Sequence, residues 1–92
     1  MNEYMSASMD KYANKYMSEV EWMRIFGQNL KEILEERRMS QKRLAMKTGL
    51  SEATISAYIK ARRMPSAVAI VNISYVLGIN LYDLIDFGYE VR

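Results

Sequence analysis

The side chains best suited to chemistry in this sequence are cations that lie close together in the middle of the chain. Residues 40–64 contain one acid, Glu52, and six cations, Lys42, Arg43, Lys47, Lys60, Arg62 and Arg63. This segment carries a net charge of +5, whereas the residues before and after it carry −1 and −2. Such concentrated positive charge favours a polyanionic partner, although a solvated basic surface has the same pattern.

The composition argues against most catalytic and metal chemistry. The sequence contains no histidine and no cysteine, which removes disulfides, thiolates, the usual zinc ligands and the commonest general base. The adjacent acids Glu35 and Glu36 would point about 100° apart on a helix, so they cannot share a proton as a catalytic pair. We therefore expect no enzyme activity, no metal and no cofactor.

The length and the hydropathy pattern favour one small folded domain. The chain has 92 residues, half of them hydrophobic, which is typical of a globular protein rather than a disordered one. The apolar stretch at residues 67–82 is interrupted by Asn72, Ser74 and Asn80 and is too short to span a bilayer. Because the N-terminus also lacks the pattern of a signal peptide, we expect a cytoplasmic protein that contacts no membrane.

The positions of apolar residues, caps and glycines predict an all-α fold, and no strand pattern is present. Helical periodicity predicts a first helix at residues 22–38, with Phe26, Leu30, Ile33 and Leu34 facing inward. Four shorter helices are predicted at 41–48, 52–60, 67–77 and 81–86. Their predicted N-caps are Ser40, Ser51, Ser66 and Asn80. Gly49 and Gly78 are predicted to end two helices, and Asp83 to complete a capping box with Asn80.

Residues 1–20 are predicted to be an N-terminal extension of a domain at residues 21–92. Apolar side chains recur at helical spacing at Met5, Met9, Tyr12, Tyr16 and Val20. The extension is either a partly ordered helix that packs on the domain or on a second copy, or a frayed terminus. Its methionines could also form an adaptable surface for a protein partner.

Residues 41–60 have the side chains that two short helices need in order to cross steeply. Small and apolar residues are expected at the joint or against the body of the domain, at Leu44, Ala45, Leu50, Ile55 and Tyr58. Gly49 permits a positive φ in the turn between the two helices. These are the steric requirements of a helix-turn-helix.

The segment resembles the helix-turn-helix of the XRE family, the Cro/phage-repressor type. The matching positions are Gln41, Leu44, Ala45, Gly49, Leu50, Ile55 and Tyr58, and the similarity extends over about residues 25–86. Further matches are Phe26-Gly27, Leu30, Ile33, Met64-Pro65-Ser66 and Leu77-Gly78-Ile79-Asn80. The resemblance implies a compact five-helix domain whose second short helix enters the major groove while the first crosses the DNA backbone.

The resemblance also implies roles for individual residues. Base edges would be contacted by Ser51, Glu52, Ala53, Ser56 and Ala57. Phosphates would be contacted by Gln41, Lys42, Arg43, Lys60, Arg62 and Arg63. Structural interpretations stay open: Ser51 is also a simple N-cap, Ala53 and Ala57 are also helix formers, and Gln41 also suits a solvated first turn.

The sequence departs from the family pattern at three places. The recognition face, which is the set of residues expected to contact base edges, has no Arg, Asn or Gln for bidentate base contacts. Glu52 could still accept a hydrogen bond from cytosine, and the alanines could touch thymine methyl groups. DNA shape is a further source of specificity. Many relatives pair an Arg on the first helix with a Glu ending the recognition helix. Here Leu34 and Ile59 stand instead, and we expect them to touch. Arg38 and Lys60-Ala61 replace Gly and Asn-Gly, so altered loops are expected.

Two classes of function fit these features. The first is a sequence-specific transcription regulator that binds double-stranded DNA as a homodimer, with its two recognition helices about 34 Å apart on a palindromic site. Phage repressors, mobile-element regulators and antitoxins all fit this outline. The second is a protein–protein adaptor that keeps the fold without binding DNA. The plain recognition face favours the adaptor, and the clustered charge argues against it.

Overall fold

The computed structural model describes residues 17–86, which fold into five helices without a strand. The helices are α1 (Glu19–Arg37), α2 (Gln41–Thr48), α3 (Glu52–Ile59), α4 (Ala67–Leu77) and α5 (Leu81–Ile85). The predicted all-α, five-helix architecture is therefore confirmed. None of the helices in this range is long and apolar enough to cross a membrane. Most of the predicted N-terminal apolar stripe, residues 5–16, lies outside the described residues.

Polar side chains fix where the helices begin. Ser40, Ser51 and Ser66 each accept a hydrogen bond from the backbone N–H three residues later, at 3.0 Å. The Asn80 side chain accepts from the first turn of α5, while the Asp83 carboxylate accepts from the Asn80 backbone N–H at 3.0 Å. These bonds satisfy N–H groups that have no partner within the helix. All four predicted N-caps and the predicted capping box are confirmed.

Helix α1 begins earlier than the sequence analysis placed it. The Ser18 hydroxyl accepts from a backbone N–H of the first turn at 3.2 Å, and the helix starts at Glu19 rather than at Trp22. A continuous helix therefore runs across the expected division at residue 20. Val20 is exposed, so the last residue of the predicted apolar stripe does not pack on the domain.

The hydrophobic core takes side chains from every helix. Within residues 17–86, seven large residues are fully buried, namely Phe26, Leu30, Leu44, Ile55, Ile73, Leu77 and Leu84. Each stabilises the fold by about 1.5–3 kcal/mol relative to an exposed side chain. Trp22 stacks on Phe26 with ring centroids 5.2 Å apart, and Tyr58 meets the edge of Phe26 at 6.2 Å. These three aromatic side chains pack the N-terminal half of α1 against the end of α3.

In the part of the chain that the structure describes, two turns contain non-glycine residues with a left-handed backbone. Arg38, after α1, has φ 54°, and Ala61, after α3, has φ 56°. This is the conformation for which glycine is the usual residue, so these two loops adopt a glycine-type backbone without glycine. The predicted turns at Gly49 and Gly78 have φ 77° and 63°, as their residue type requires.

Candidate nucleic-acid interface

The joint between α2 and α3 is packed as the sequence predicts. Leu44, Ala45 and Ile55 are buried. The Gly49 N–H donates to the Ala45 carbonyl oxygen at 3.0 Å, closing the end of α2. The Thr48 hydroxyl, to which the sequence analysis gave no role, donates to the Leu44 carbonyl oxygen at 2.8 Å. The joint is thus held by apolar contact inside and by hydrogen bonds to the last carbonyl groups of α2 at the turn.

Helix α1 supports α3 from the core side through a close backbone contact at Gly27. A Cβ at Gly27 would lie 2.5 Å from the Tyr58 carbonyl oxygen and 2.6 Å from the Ile59 carbonyl oxygen. Only glycine permits this approach, because both neighbours are backbone atoms. Tyr58 is buried and Leu50 packs against the core, as predicted. The contact fixes the C-terminal half of α3 against α1.

The outer face of α3 bears the residues predicted to contact base edges. Ser51, Glu52 and Ala53 are exposed, whereas Ser56 and Ala57 are half-buried. The exposed three lie at the N-terminal end of the helix, which is the end that reaches base edges in helix-turn-helix proteins. Their contact with bases stays a prediction, and Ser56 and Ala57 have less surface to offer.

A hydrogen-bond network at the start of α3 gives Ser51 a structural role. Its hydroxyl accepts from the Thr54 N–H at 3.0 Å and lies 2.8 Å from the Thr54 hydroxyl. The Arg63 guanidinium donates from Nη1 to the same Thr54 hydroxyl at 3.4 Å. The N-cap interpretation of Ser51 is confirmed. Periodicity could not reveal the Arg63–Thr54 bond, because Arg63 lies in a loop outside any helical repeat.

The residues predicted to contact phosphate form two groups at the ends of the helix-turn-helix. Gln41 is half-buried at the start of α2 and is followed by exposed Lys42 and Arg43. Beyond the end of α3 lie the exposed cations Lys60, Arg62 and Arg63. Along the chain, exposed cations therefore precede and follow α3, and positive charge is what contact with phosphate requires. Phosphate contact itself stays a prediction.

A groove beside α2 contains Leu34 and Ile59, which stand where many XRE-family proteins have an Arg–Glu ion pair. Leu34 is buried, Ile59 packs against the core, and both line this groove together with Met39, Arg38 and Gln41. The structure thus brings Leu34 and Ile59 to one site, and their direct contact stays a prediction. Apolar residues at this site avoid the desolvation penalty of a buried ion pair.

A second groove, between α1 and α5, is lined by four acids and one cation, Arg37. The acids that line it are Glu32, Glu36, Asp83 and Asp86. Its walls are joined by Asn29, whose side chain donates to the carbonyl oxygens of Leu84 and Asp86 at 2.9 and 3.0 Å. Arg37 donates to the Leu77 carbonyl oxygen. Across residues 17–86, no group of three or more acids is arranged to hold a metal ion.

Comparison with known proteins assigns this architecture to a family. Residues 29–88 match the Cro/C1-type HTH DNA-binding domain. The restriction-modification controller protein C.AhdI from Aeromonas hydrophila is similar in structure, at 29% identity and a TM-score of 0.66 over 67% of this chain and 94% of that chain. The hypothetical transcription factor NHTF from Neisseria shares the fold, at 23% identity and a TM-score of 0.67 over 75% and 79%.

No match is found among curated proteins. The family match covers the capped helices α2 to α5, the packed joint and part of α1. It agrees with the resemblance that the sequence motifs indicate. The chain belongs to the Cro/C1-type helix-turn-helix family of DNA-binding domains.

Proposed function

We propose that the protein is a sequence-specific transcription regulator, of the repressor or antitoxin type, that inserts α3 into the DNA major groove. The observation that carries this proposal is the exposed N-terminal end of α3 with cations on both sides of the helix-turn-helix. The family supports DNA binding. A cytoplasmic location follows from this function, because the protein must reach the DNA.

In this proposal phosphate contacts come from both ends of the helix-turn-helix. The backbone is bound on one side of α3 by Gln41, Lys42 and Arg43, and on the other side by Lys60, Arg62 and Arg63. Base edges are contacted by Ser51, Glu52 and Ala53, with smaller contributions from Ser56 and Ala57. The phosphate contacts orient α3 and supply most of the affinity, whereas the base contacts supply specificity.

An exposed apolar face on α4 supports a homodimer. Val68, Val71 and Tyr75 follow one another at helical spacing and are 69%, 54% and 85% exposed. Contiguous exposed apolar side chains are typical of interaction surfaces. A twofold dimer through this face would present two copies of α3 to a palindromic site. Sedimentation of a Tyr75→Lys variant tests this, because a charge on this face should produce monomers.

The regulated system has several candidates within this class. Phage, mobile-element and antitoxin regulators share the outline of a small dimeric helix-turn-helix protein. The relative C.AhdI is a restriction-modification controller protein, so control of a restriction-modification system is a further candidate.

The test is selection from a random-sequence duplex pool at two salt concentrations, followed by sequencing of the retained DNA. A specific regulator enriches a palindrome and loses affinity steeply as salt rises. The triple variant Arg43→Gln, Arg62→Gln, Arg63→Gln should bind DNA weakly. Its salt slope, the slope of log affinity against log salt concentration, should be about one unit smaller for each phosphate that is no longer neutralised. The matched control neutralises Lys11, Lys15 and Arg24, which removes the same charge from outside the helix-turn-helix segment.

The second candidate function is an adaptor that binds proteins and not DNA. It is favoured by the absence of Arg, Asn and Gln among the five predicted base-contacting residues. If the wild-type protein retains no DNA at low salt, the regulator proposal is overturned and the adaptor is supported. If the triple variant and its control lose DNA affinity equally, the affinity depends only on the net charge of the protein and not on the positions of the cations.

A further inference from the structure

The outer face of α3 has no side chain that can make a bidentate donor contact with guanine or adenine. Its residues are Ser51, Glu52, Ala53, Ser56 and Ala57. The hydroxyl of Ser51 is already used in the N-cap and by Thr54. A sequence-specific regulator with this face needs a further source of base discrimination, either DNA shape or a side chain from another element.

Arg63 is held beside this face by a bond to the recognition helix. Its Nη1 donates to the Thr54 hydroxyl at 3.4 Å, and that hydroxyl lies 2.8 Å from the Ser51 hydroxyl. Thr54 belongs to the first turn of α3, the part of a recognition helix that reaches base edges. The guanidinium therefore lies at the end of α3 that would enter the groove, although Arg63 itself belongs to the loop before α4.

The chemistry of the guanidinium suits a base edge. It has five N–H donors in a planar fork, and the bond to Thr54 uses one of them. Two parallel donors match the O6 and N7 acceptors of guanine, which is the commonest specific contact in the major groove. Because Thr54 already restricts the long side chain, less conformational entropy is lost on binding.

We propose that Arg63, positioned by Thr54, reads a guanine in the major groove at the N-terminal end of α3. This inference rests on the proposed function and gives Arg63 a role in specificity beyond the phosphate contact expected from the sequence. Its neighbour Arg62 is joined to α3 through its backbone, whose N–H donates to the Ala57 carbonyl oxygen at 2.8 Å. Arg62 remains a phosphate contact and serves as the matched control.

The experiment repeats the duplex selection with the wild type, Arg63→Lys and Arg62→Lys. Lysine keeps the positive charge but cannot donate two parallel bonds. The wild type should enrich guanine at one fixed position of each half-site. Arg63→Lys should lower that preference roughly tenfold or more, with the salt slope unchanged. Arg62→Lys should leave every base preference as in the wild type.

Substitutions of Thr54 test the positioning. Thr54→Val removes the hydroxyl that holds Arg63 and should weaken the preference for the same guanine. Thr54→Ser keeps a hydroxyl and should restore the preference. Unfolding midpoints of all variants show whether a change in selectivity follows from reduced stability. If the Arg63–Thr54 bond were purely structural, its loss would lower affinity equally for all DNA sequences and leave the guanine preference unchanged.

The outcomes separate this inference from the function on which it rests. An unchanged guanine preference in Arg63→Lys, with a wild type that selects a site, would overturn the role of Arg63 alone. Selection of a site without guanine in its half-sites would do the same. A wild type that retains no DNA would overturn the regulator proposal and this inference together.

Discussion

The two faces of α3 are under different constraints. On the inner face, Ile55 and Tyr58 are buried and the backbone meets Gly27 of α1. On the outer face, Glu52 and Ala53 are exposed. The inner face therefore determines whether the domain folds, whereas the exposed outer positions of the helix itself, such as Glu52 and Ala53, can change with little effect on stability. This separation is what lets one fold serve regulators with different DNA sites.

The largest effect is expected at the centre of the inner face. Ile55→Ala removes a fully buried side chain and leaves a cavity, so the free energy of unfolding should fall by about 4 kcal/mol. Urea denaturation measures the decrease. The control is Glu52→Gln, at an exposed position of the outer face, which should change stability by less than about 1 kcal/mol. Equal decreases in both variants would contradict the distinction between the two faces.

Gly27→Ala tests the contact between α1 and the end of α3. The added Cβ would be placed 2.5 Å from the Tyr58 carbonyl oxygen, and backbone atoms cannot rotate away. We expect a decrease of about 3 kcal/mol in the free energy of unfolding, from overpacking. Gln28→Ala, at the exposed next position, is the control and should change stability by less than about 0.5 kcal/mol. If Gly27→Ala is as stable as the wild type, α1 and α3 are less closely packed than this contact indicates.

The outer face should respond to substitution in the opposite way. Ala53→Gln places a side chain that can pair with adenine at an exposed position of α3. Stability should stay within about 0.5 kcal/mol of the wild type, while selection from the duplex pool should show a new preference for adenine of about 1–2 kcal/mol. If the unfolding midpoint changes and the selected DNA site does not, Ala53 contributes to stability rather than to DNA recognition.

The sequence was sufficient to predict what depends on local chemistry. The N-caps at Ser40, Ser51 and Ser66 satisfy backbone groups within three residues, so residue type and spacing reveal them. The core followed from helical periodicity, since Leu44 and Ile55 are the apolar residues that two crossing helices bring together. The family resemblance then supplied how the helices pack into one domain, which periodicity alone does not provide.

The sequence was not sufficient where the structure depends on contacts between distant residues. The role of Gly27 comes from the carbonyl groups of Tyr58 and Ile59, which belong to a different helix. The Arg63–Thr54 bond joins a loop to a helix. Altered loops were expected at Arg38 and Ala61, because both residue types usually avoid a left-handed backbone. The structure instead gives both residues the positive φ that is usual for glycine. The early start of α1 was missed, although Ser18 has the residue type of an N-cap.

The smallest expected effect is a gain in stability at a turn. Ala61 has φ 56°, a conformation that is about 1–2 kcal/mol unfavourable for a residue with a Cβ. Ala61→Gly removes this strain but makes the unfolded chain more flexible by about 0.5–1 kcal/mol. The net gain should be about 0.5–1 kcal/mol in the free energy of unfolding, measured with urea.

The reverse substitution at a turn that already contains glycine is the matched control. Gly49 has φ 77°, and a Cβ added there would meet no atom within 4 Å, so Gly49→Ala should lower the free energy of unfolding by about 1 kcal/mol from backbone strain alone. Neither change alters a charge, so neither should change the salt dependence of DNA binding. Opposite signs at the two turns would show that the backbone at Ala61 is strained. A decrease in stability in Ala61→Gly would instead show that the alanine methyl group makes a stabilising contact beside the cations that follow α3.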